Sequence, residues 1–280
     1  MKDRRGLIET GSVLDRIVAD SYEPLEARKQ AVPEAILRHP HFSNGHGLDR
    51  ILLASTEGDF GQPEIQIIAE IKKASPSRGV LAANLDHRSI ARQYALAGAV
   101  GISVVTEENY FLGDVQWLED VRRLLQDEFP GRRPSVLRKD FIFDPYQVVE
   151  ARAYGADNVL LIVAILDDAL LRDMLASALE AGLGALVEVH DEAEAERAVA
   201  AGATLFGINN RDLHTFNVDL ATTERVRPLL PAGAIVIGES GVHKRADVER
   251  LHRAGVNAIL VGEAFMTAPD VAAKMAELRL

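Results

Sequence analysis

The stretch AGLGALVEVHDEAEAERAVAAGATLFGINN, residues 181–210, holds one full period of the pattern that decides the fold. Gly182 and Gly202 each stand just past a helical pattern, in the left-handed position that a residue without Cβ takes at little steric cost. A short apolar run starts within a few residues of each, Ala185–Val189 and Leu205–Asn209. Both runs are too short for a buried helix and read as strands covered on both faces. Glu192–Ala201 between them reads as a helix, its acidic start matched to the positive end of the helix dipole. Strand, helix, glycine, strand is the repeating unit of a parallel sheet wrapped in helices.

The same turn recurs in AGAVGISVVTE (97–107), YGADNVLLIVAIL (154–166) and AGVNAILVGEA (254–264), with Gly98, Gly155 and Gly255 in the same place. Eight strands follow from this rhythm: Ile65–Ile71, Gly101–Val105, Val136–Arg138, Asn158–Ile165, Ala185–Val189, Leu205–Asn209, Ile235–Glu239 and Ala258–Gly262. Helical patterns such as Tyr146–Tyr154, Asp168–Ala181 and Lys244–Ala254 fill the intervals. An open doubly wound sheet usually carries Gly-x-Gly-x-x-Gly after its first strand, whereas this chain has Glu-Ile-Lys-Lys-Ala-Ser-Pro-Ser. The expected fold is α/β, a (βα)8 barrel of the TIM type forming one domain over residues 1–280. Residues 1–64 are its helical N-terminal extension and loop. There, 12–38 show helical periodicity, Pro24 and Pro33 read as breaks or helix starts, and 39–50 and 56–63 read as loops.

Composition limits the function. The 280 residues carry a formal net charge of −11 and no basic stripe, which excludes a nucleic-acid footprint. The absence of cysteine excludes disulfides, thiolate catalysis and Cys-ligated metal. The charged N-terminus lacks the apolar core of a signal peptide, and no run approaches the roughly 18 apolar residues of a membrane span. A cytoplasmic protein, monomeric or weakly self-associating, is expected.

Five strand ends finish in reactive polar groups: IIAEIKKASPSRG (67–79), VLRKDF (136–141), ALVEVH (185–190), FGINNRDL (206–213) and VIGESGV (236–242). Residues two apart share a face, so Glu70 sides with Lys72 and Asn209 with Arg211. Lys72 and Lys139 are candidates to hold anions and deliver protons, or else to pair with glutamates on neighbouring strands. Glu188 is the candidate general base, a role compatible with an ion pair to a lysine. Glu70 and Glu239 either orient the lysines or bind hydroxyls, and Asn209 suits a sugar hydroxyl. Arg211 is either a carboxylate clamp or a structural partner of Asp212.

The glycines of Gly238-Glu239-Ser240-Gly241 and Gly262-Glu263-Ala264 let backbone N–H groups approach a phosphate, with Ser75 and Ser77 as possible hydroxyl donors. Phe111, in TEENYFLGD (106–114), either covers a flat substrate or closes a gap. Trp117 reads as packing. His39, His41 and His46 lack metal spacing, and no metal site is expected. His190, His214 and His243 read as turn or cap residues.

IAEIKKASPSRG, TEENYFLGD, LRKDFI, LLIVAIL, LVEVH, GINNRDL, GESGV and LVGEAFM stand in the order found in indole-3-glycerol-phosphate synthases, which the chain closely resembles over nearly its whole length. The resemblance implies a cofactor-free lyase of tryptophan biosynthesis acting on a phosphorylated small molecule, 1-(2-carboxyphenylamino)-1-deoxyribulose 5-phosphate. A ring carbon attacks the ketone, carbon dioxide leaves, and dehydration yields indole-3-glycerol phosphate. It implies Lys139 as general acid, Glu188 as the group that assists loss of the hydroxyl or takes the amine proton, and Lys72 as holder of the substrate carboxylate or phosphate. Glu70, Asn209 and Glu239 match the family's supporting polar residues. Ser75, Phe111, Arg211 and Leu213 match its substrate contacts, and Ser240, Gly241, Gly262 and Glu263 its phosphate loops. The alternatives are another phosphosugar barrel enzyme, such as phosphoribosylanthranilate isomerase, or a non-catalytic phosphometabolite-binding barrel.

Overall fold

The computed structural model describes residues 6–38, 42, 47–56, 65–131 and 133–280. Eight parallel strands close into a barrel: β1 Gln66–Ile71, β2 Gly101–Val105, β3 Ser135–Lys139, β4 Asn158–Ile162, β5 Gly184–Val189, β6 Leu205–Asn209, β7 Ile235–Glu239 and β8 Ala258–Val261. β1 pairs with β2, Ile68 opposite Gly101, and with β8, Gln66 opposite Ala258, so no sheet edge is left.

Three helices precede β1: α1 Val13–Ala31, α2 Glu34–Leu37 and α3 Leu48–Thr56. The outer ring is α4 His87–Leu96, α5 Gln116–Glu128, α6 Pro145–Ala153, α7 Asp168–Glu180, α8 Glu192–Ala201, α9 Ala221–Val226, α10 Arg245–Arg253 and α12 Val271–Leu278, with the one-turn α11 Glu263–Met266 directly after β8. Asp86, Asp144, Asp167 and Asp191 cap α4, α6, α7 and α8 through their side chains, so the loops above the barrel end in rigid helix starts.

Outward-facing strand residues such as Ile67, Ile102, Val136, Leu161, Val187, Phe206 and Val236 are buried against the helices. On β3 this alternation sends Arg138 outward and Lys139 inward. Arg138 is 1% exposed, and its guanidinium donates to Glu150 Oε2, Asp140 Oδ2 and the Gln147 carbonyl at 2.9 Å each. Arg28 of α1 reaches the other oxygen of Glu150 at 2.9 Å, joining the N-terminal helix to the strand that carries Lys139.

Three local readings need correction. α1 runs through Pro24 instead of breaking there. The proline removes one N–H, and the Asp20 carbonyl it would have served faces Asn109 Nδ2 at 3.5 Å. Leu48–Arg50 belong to α3, not to a loop. Leu48 is fully buried, its N–H donates to Asn158 Oδ1 at the foot of β4, and its side chain packs on Gly101 at the foot of β2, so α3 plugs the base of the barrel. β4 ends at Ile162, and Val163–Ile165 form a 3-10 turn beneath the N-terminal segment, where Ile8 N–H donates to the Ile165 carbonyl. A buried turn and a buried strand are equally apolar, so periodicity alone could not separate them. Trp117 packs against the core as read, with its ring also stacked on His87 of α4 at 5.1 Å between ring centres. The readings on His39, His41, His46 and residues 57–63 lie outside the described residues.

Replacing Arg138 with Met would leave Glu150 and Asp140 buried without this cation. We expect a loss of about 3–5 kcal/mol, the cost of stripping one partner from a buried ion cluster. Chemical and thermal unfolding of the Arg138→Met variant checks this, and unchanged midpoints would contradict it.

Candidate active site

Strand registry gathers the polar ends into one layer. Glu70 stands opposite Ser103, and Ser103 opposite Leu137, so crossing from β1 to β3 at constant height advances two residues, to Lys139. The step repeats: Ile162 pairs with Glu188, Glu188 with Gly207, Gly207 with Ile237, and Glu239 with Leu260. Glu70, Lys139, Glu188 and Glu239 therefore form a single layer from the four odd-numbered strands, as the side-chain layers of this barrel require. The layer beneath uses even strands, with Ser103, Leu160, Gly207 and Leu260.

Two glycines make this layer possible. A Cβ on Gly207 would lie 2.0 Å from Glu239 Oε1, and one on Gly262 would lie 2.4 Å from Glu70 Oε1. The even strands thus vacate space that the carboxylates occupy.

Lys139 Nζ lies 2.9 Å from Glu188 Oε2 and 3.4 Å from Glu239 Oε2. Burial opposes its charge, but Glu188, Glu239 and Glu70 outweigh that and hold the ammonium protonated far above the usual lysine range. Burial likewise favours neutral Glu188, yet Lys139 and His190 hold it well below the usual carboxylate range. Glu239 goes the other way. Burial, helped by the charges of Glu188 and Glu70 and opposed by Lys139, pushes it up to about 8. Two carboxylates flanking one ammonium are thus pushed in opposite directions, Glu188 down and Glu239 up.

Above this layer, Lys72 Nζ pairs with Glu70 Oε1 at 2.6 Å. Asn209 Nδ2 donates to Glu188 Oε1 at 3.2 Å, and its Oδ1 accepts from the Arg211 N–H at 3.1 Å. Arg211 does not pair with Asp212. Its Nη1 donates to the Phe216 carbonyl at 3.2 Å, while Asp212 accepts from the turn N–H groups of His214 and Thr215. The structural ion-pair reading of Arg211 falls, and its guanidinium lines the pocket.

The pocket walls differ in character. On one side, Ser240 and Gly241 take consecutive positive φ values of 62° and 84°, a conformation that turns successive N–H groups toward one concavity. Gly262 and Glu263 lie beside them at the start of α11, with Ser75 and Ser77 facing from the first βα loop. Arg78 of that loop pairs with the Glu263 carboxylate. Val13, Leu14 and Ile17 of α1 line the same pocket, as do Leu213, Phe111 and Phe141, the last two with ring centres 6.1 Å apart.

The fourteen residues that the resemblance matched to the family's site, and Ser77 besides, all line this one pocket. Sequence reading missed the α1 contribution, Phe141 and Glu107. The Glu107 carboxylate accepts the N–H groups of Asn109, Tyr110 and Phe111 at 2.7–2.9 Å and so shapes the loop that presents Phe111. An acid two to four residues before such a turn was the available signal. His190 is also more than a turn residue. Its side chain is 9% exposed, with Nε2 3.2 Å from Glu188 Oε1 and Nδ1 3.0 Å from Glu194 Oε2. His214 does sit in an exposed turn, and His243 lies exposed just ahead of α10, where its N–H donates to Asp247. Among the described residues, no group of three or more His, Asp or Glu side chains could hold a metal.

Comparison with known proteins agrees with this geometry. The family profile described as indole-3-glycerol phosphate synthase matches residues 14–278. The chain is 44% identical over 271 residues to the indole-3-glycerol phosphate synthase of Dehalococcoides mccartyi, covering 95% of this chain and 99% of that one. It is 44% identical over 274 residues to the enzyme of Roseiflexus castenholzii, covering 95% and 98%. Among solved structures, 3-hexulose-6-phosphate synthase superposes with a TM-score of 0.58 at 20% identity, covering 76% of this chain and 98% of that one, a likeness of fold alone. With a profile spanning nearly the whole chain and relatives matched end to end, this protein belongs to the indole-3-glycerol phosphate synthase family.

Proposed function

We propose that Lys139 is the acid and Glu188 its partner in the family's reaction, carried out in the pocket above the odd-strand layer. The chain is a decarboxylating lyase of tryptophan biosynthesis by family membership. Its substrate has an aromatic carboxylate at one end and a sugar phosphate at the other. The pocket has the same division, with apolar side chains from α1 and Phe111 on one wall and the Ser240–Gly241 and Gly262–Glu263 backbone on the other.

The observation that carries the assignment is the position of Lys139 on the pocket floor between the Glu188 and Glu239 carboxylates, which are pushed in opposite directions. As the ring carbon attacks, charge develops on the ketone oxygen. An ammonium already fixed by Glu188 and Glu239 stabilises that charge without reorganising, and then transfers its proton. Glu188 stays ionised and is free to accept the proton released as the indole ring forms. Asn209 holds one Glu188 oxygen and leaves the carboxylate one orientation. Lys72, tied to Glu70 at the rim, is placed to hold the substrate carboxylate or phosphate. Ser75, Ser240, Gly241, Gly262 and Glu263 are read as phosphate contacts, and Phe111, Arg211 and Leu213 as contacts to the remainder.

The N-terminal extension is read as part of the same unit, because α1 supplies a wall of the pocket. No helix among the described residues is long and apolar enough to cross a membrane, and a cytoplasmic location fits the metabolic role.

The direct test supplies 1-(2-carboxyphenylamino)-1-deoxyribulose 5-phosphate and follows indole fluorescence. Folded protein that gives no signal would remove the reading. Lys139→Ala and Glu188→Gln are each expected to lower turnover at least about 100-fold, the low end of acid–base contributions. Near-native rates in both would reassign the acid and base.

Glu239 offers a pH test. Its folded value of about 8 lies above the ordinary 4.5, so the folded protein binds the extra proton. Its favourable contribution is complete below about 4.5 and is lost as pH rises through 8. Glu239→Gln cannot titrate, so it should raise the unfolding midpoint at pH 7.5 by about 2 °C or more while the gap closes near pH 4.5. A gap independent of pH would contradict the raised value.

A further inference from the structure

Ring closure with decarboxylation takes up one proton per turnover. The substrate carboxylate leaves as carbon dioxide, the electron pair of its carbon–carbon bond returns to the ring, and the ketone oxygen takes a proton from Lys139. Loss of water afterwards is proton-neutral, because the hydroxyl departs with one proton and the ring system releases one. Lys139 therefore ends each cycle one proton short, and solvent must supply it. The Lys139 side chain is 18% exposed and lines the pocket that substrate must enter, so a ligand bound there would come between the lysine and solvent.

We propose that His190 and Glu194 form the path by which this proton enters, through the barrel wall rather than through the mouth. The inference rests on the assignment of Lys139 and Glu188 made above. Four groups stand in series. Glu194, in the first turn of α8, has a side chain 16% exposed and lies 3.0 Å from His190 Nδ1. His190 Nε2 lies 3.2 Å from Glu188 Oε1, and Glu188 Oε2 lies 2.9 Å from Lys139 Nζ. Each imidazole nitrogen thus faces one carboxylate, the outer near water and the inner at the reacting lysine.

A turn residue would need none of this. The His190 backbone N–H already donates to Glu194 Oε2 at 2.8 Å, which completes the local turn without the ring. Nε2 is buried and makes no aligned hydrogen bond, only the off-axis approach to Glu188. A buried polar nitrogen left in this state costs stability, and an apolar side chain would avoid the cost. Histidine differs from every other side chain of this size in taking a proton at one nitrogen while releasing another from the second.

His190, which its two flanking carboxylates keep charged at neutral pH despite burial, gives its Nε2 proton to Glu188, whose carboxyl turns and passes it to the neutral Lys139 amine. The Nδ1 proton stays on the ring, rotation turns the emptied nitrogen toward Glu194, and Glu194 takes a proton from solvent and hands it to that nitrogen, which restores the charged histidine. No oxidant, metal or cofactor enters. His190 and Glu194 act through Glu188 and are positioning and relay residues, not groups that touch substrate.

The first turnover needs no resupply, because Lys139 begins protonated, and this separates a relay from a structural role. His190→Gln keeps volume and polarity but carries no proton. His190 also helps keep Glu188 ionised, so with enzyme in excess over substrate the single-turnover rate is expected to fall, but by a clearly smaller factor than steady-state turnover. With substrate in excess, product should appear as a burst of one equivalent per enzyme, followed by turnover slowed about 10-fold or more, within the range of proton-transfer effects. Added imidazole should restore the slow phase in His190→Ala. Equal slowing of both phases, or native turnover in His190→Gln, would overturn the relay. If His190→Gln does not fold, Glu194→Gln carries the same expectation and the same outcomes decide. Native protein inactive on the substrate, or active Lys139→Ala, would instead sink the acid assignment, so the two failures are distinguishable.

Discussion

The contact between the Lys139 ammonium and Glu188, with Glu239 beside them, is the constraint around which the rest of the structure is arranged. Three carboxylates and one ammonium in a barrel interior are costly to desolvate, and a layer of branched apolar residues would be the cheaper filling. The chain accommodates them by geometry. Glycine at 207 and 262 clears volume on the even strands, Asn209 and His190 hold Glu188, and Lys72 balances Glu70. Glu239 keeps a proton that a solvated glutamate would lose. Stability is given up at this layer and recovered in the apolar shell between strands and helices, as active sites commonly require.

The outer face of the same strands does the supporting work. On β3, Arg138 turns away from the lumen into a buried cluster with Glu150 and Asp140 while its neighbour Lys139 turns in. A strand fixed from outside by a buried ion cluster cannot slip its register, and register alone decides which residues enter the reactive layer. Arg28 joins that cluster from α1, so the helix that lines the pocket is indexed to the strand that carries Lys139.

Much of this was legible in the sequence because barrels repeat. Gly182, Gly202 and their counterparts marked each helix end, and the two-residue period of strands told which charges share a face. What stayed hidden depends on spatial neighbours. Arg138 looked like any charge at a strand end, since nothing local says that Glu150 waits outside. Pro24 looked like a break, because a carbonyl it frees is rescued by a loop some 85 residues further on. His190 looked like a cap because its backbone does serve a turn, and the second job of its ring depends on a glutamate two positions back on the same strand face. The grouping of Glu70, Lys139, Glu188 and Glu239 in one layer follows from shear, which no single strand displays.

The uninterrupted run of α1 through Pro24 has a consequence for selectivity. The helix lacks one internal bond at Asp20, and the loop carrying Phe111 attaches there twice, through Asn109 to the Asp20 carbonyl and through the Tyr110 hydroxyl to its carboxylate at 2.5 Å. The two halves of the apolar wall, distant in sequence, therefore share one anchor and hold a fixed spacing. A slot of constant width admits a flat ring and resists thicker groups, so on the proposed binding mode discrimination at the aromatic end of the ligand is set by the separation of two backbone segments more than by the side chains that line them.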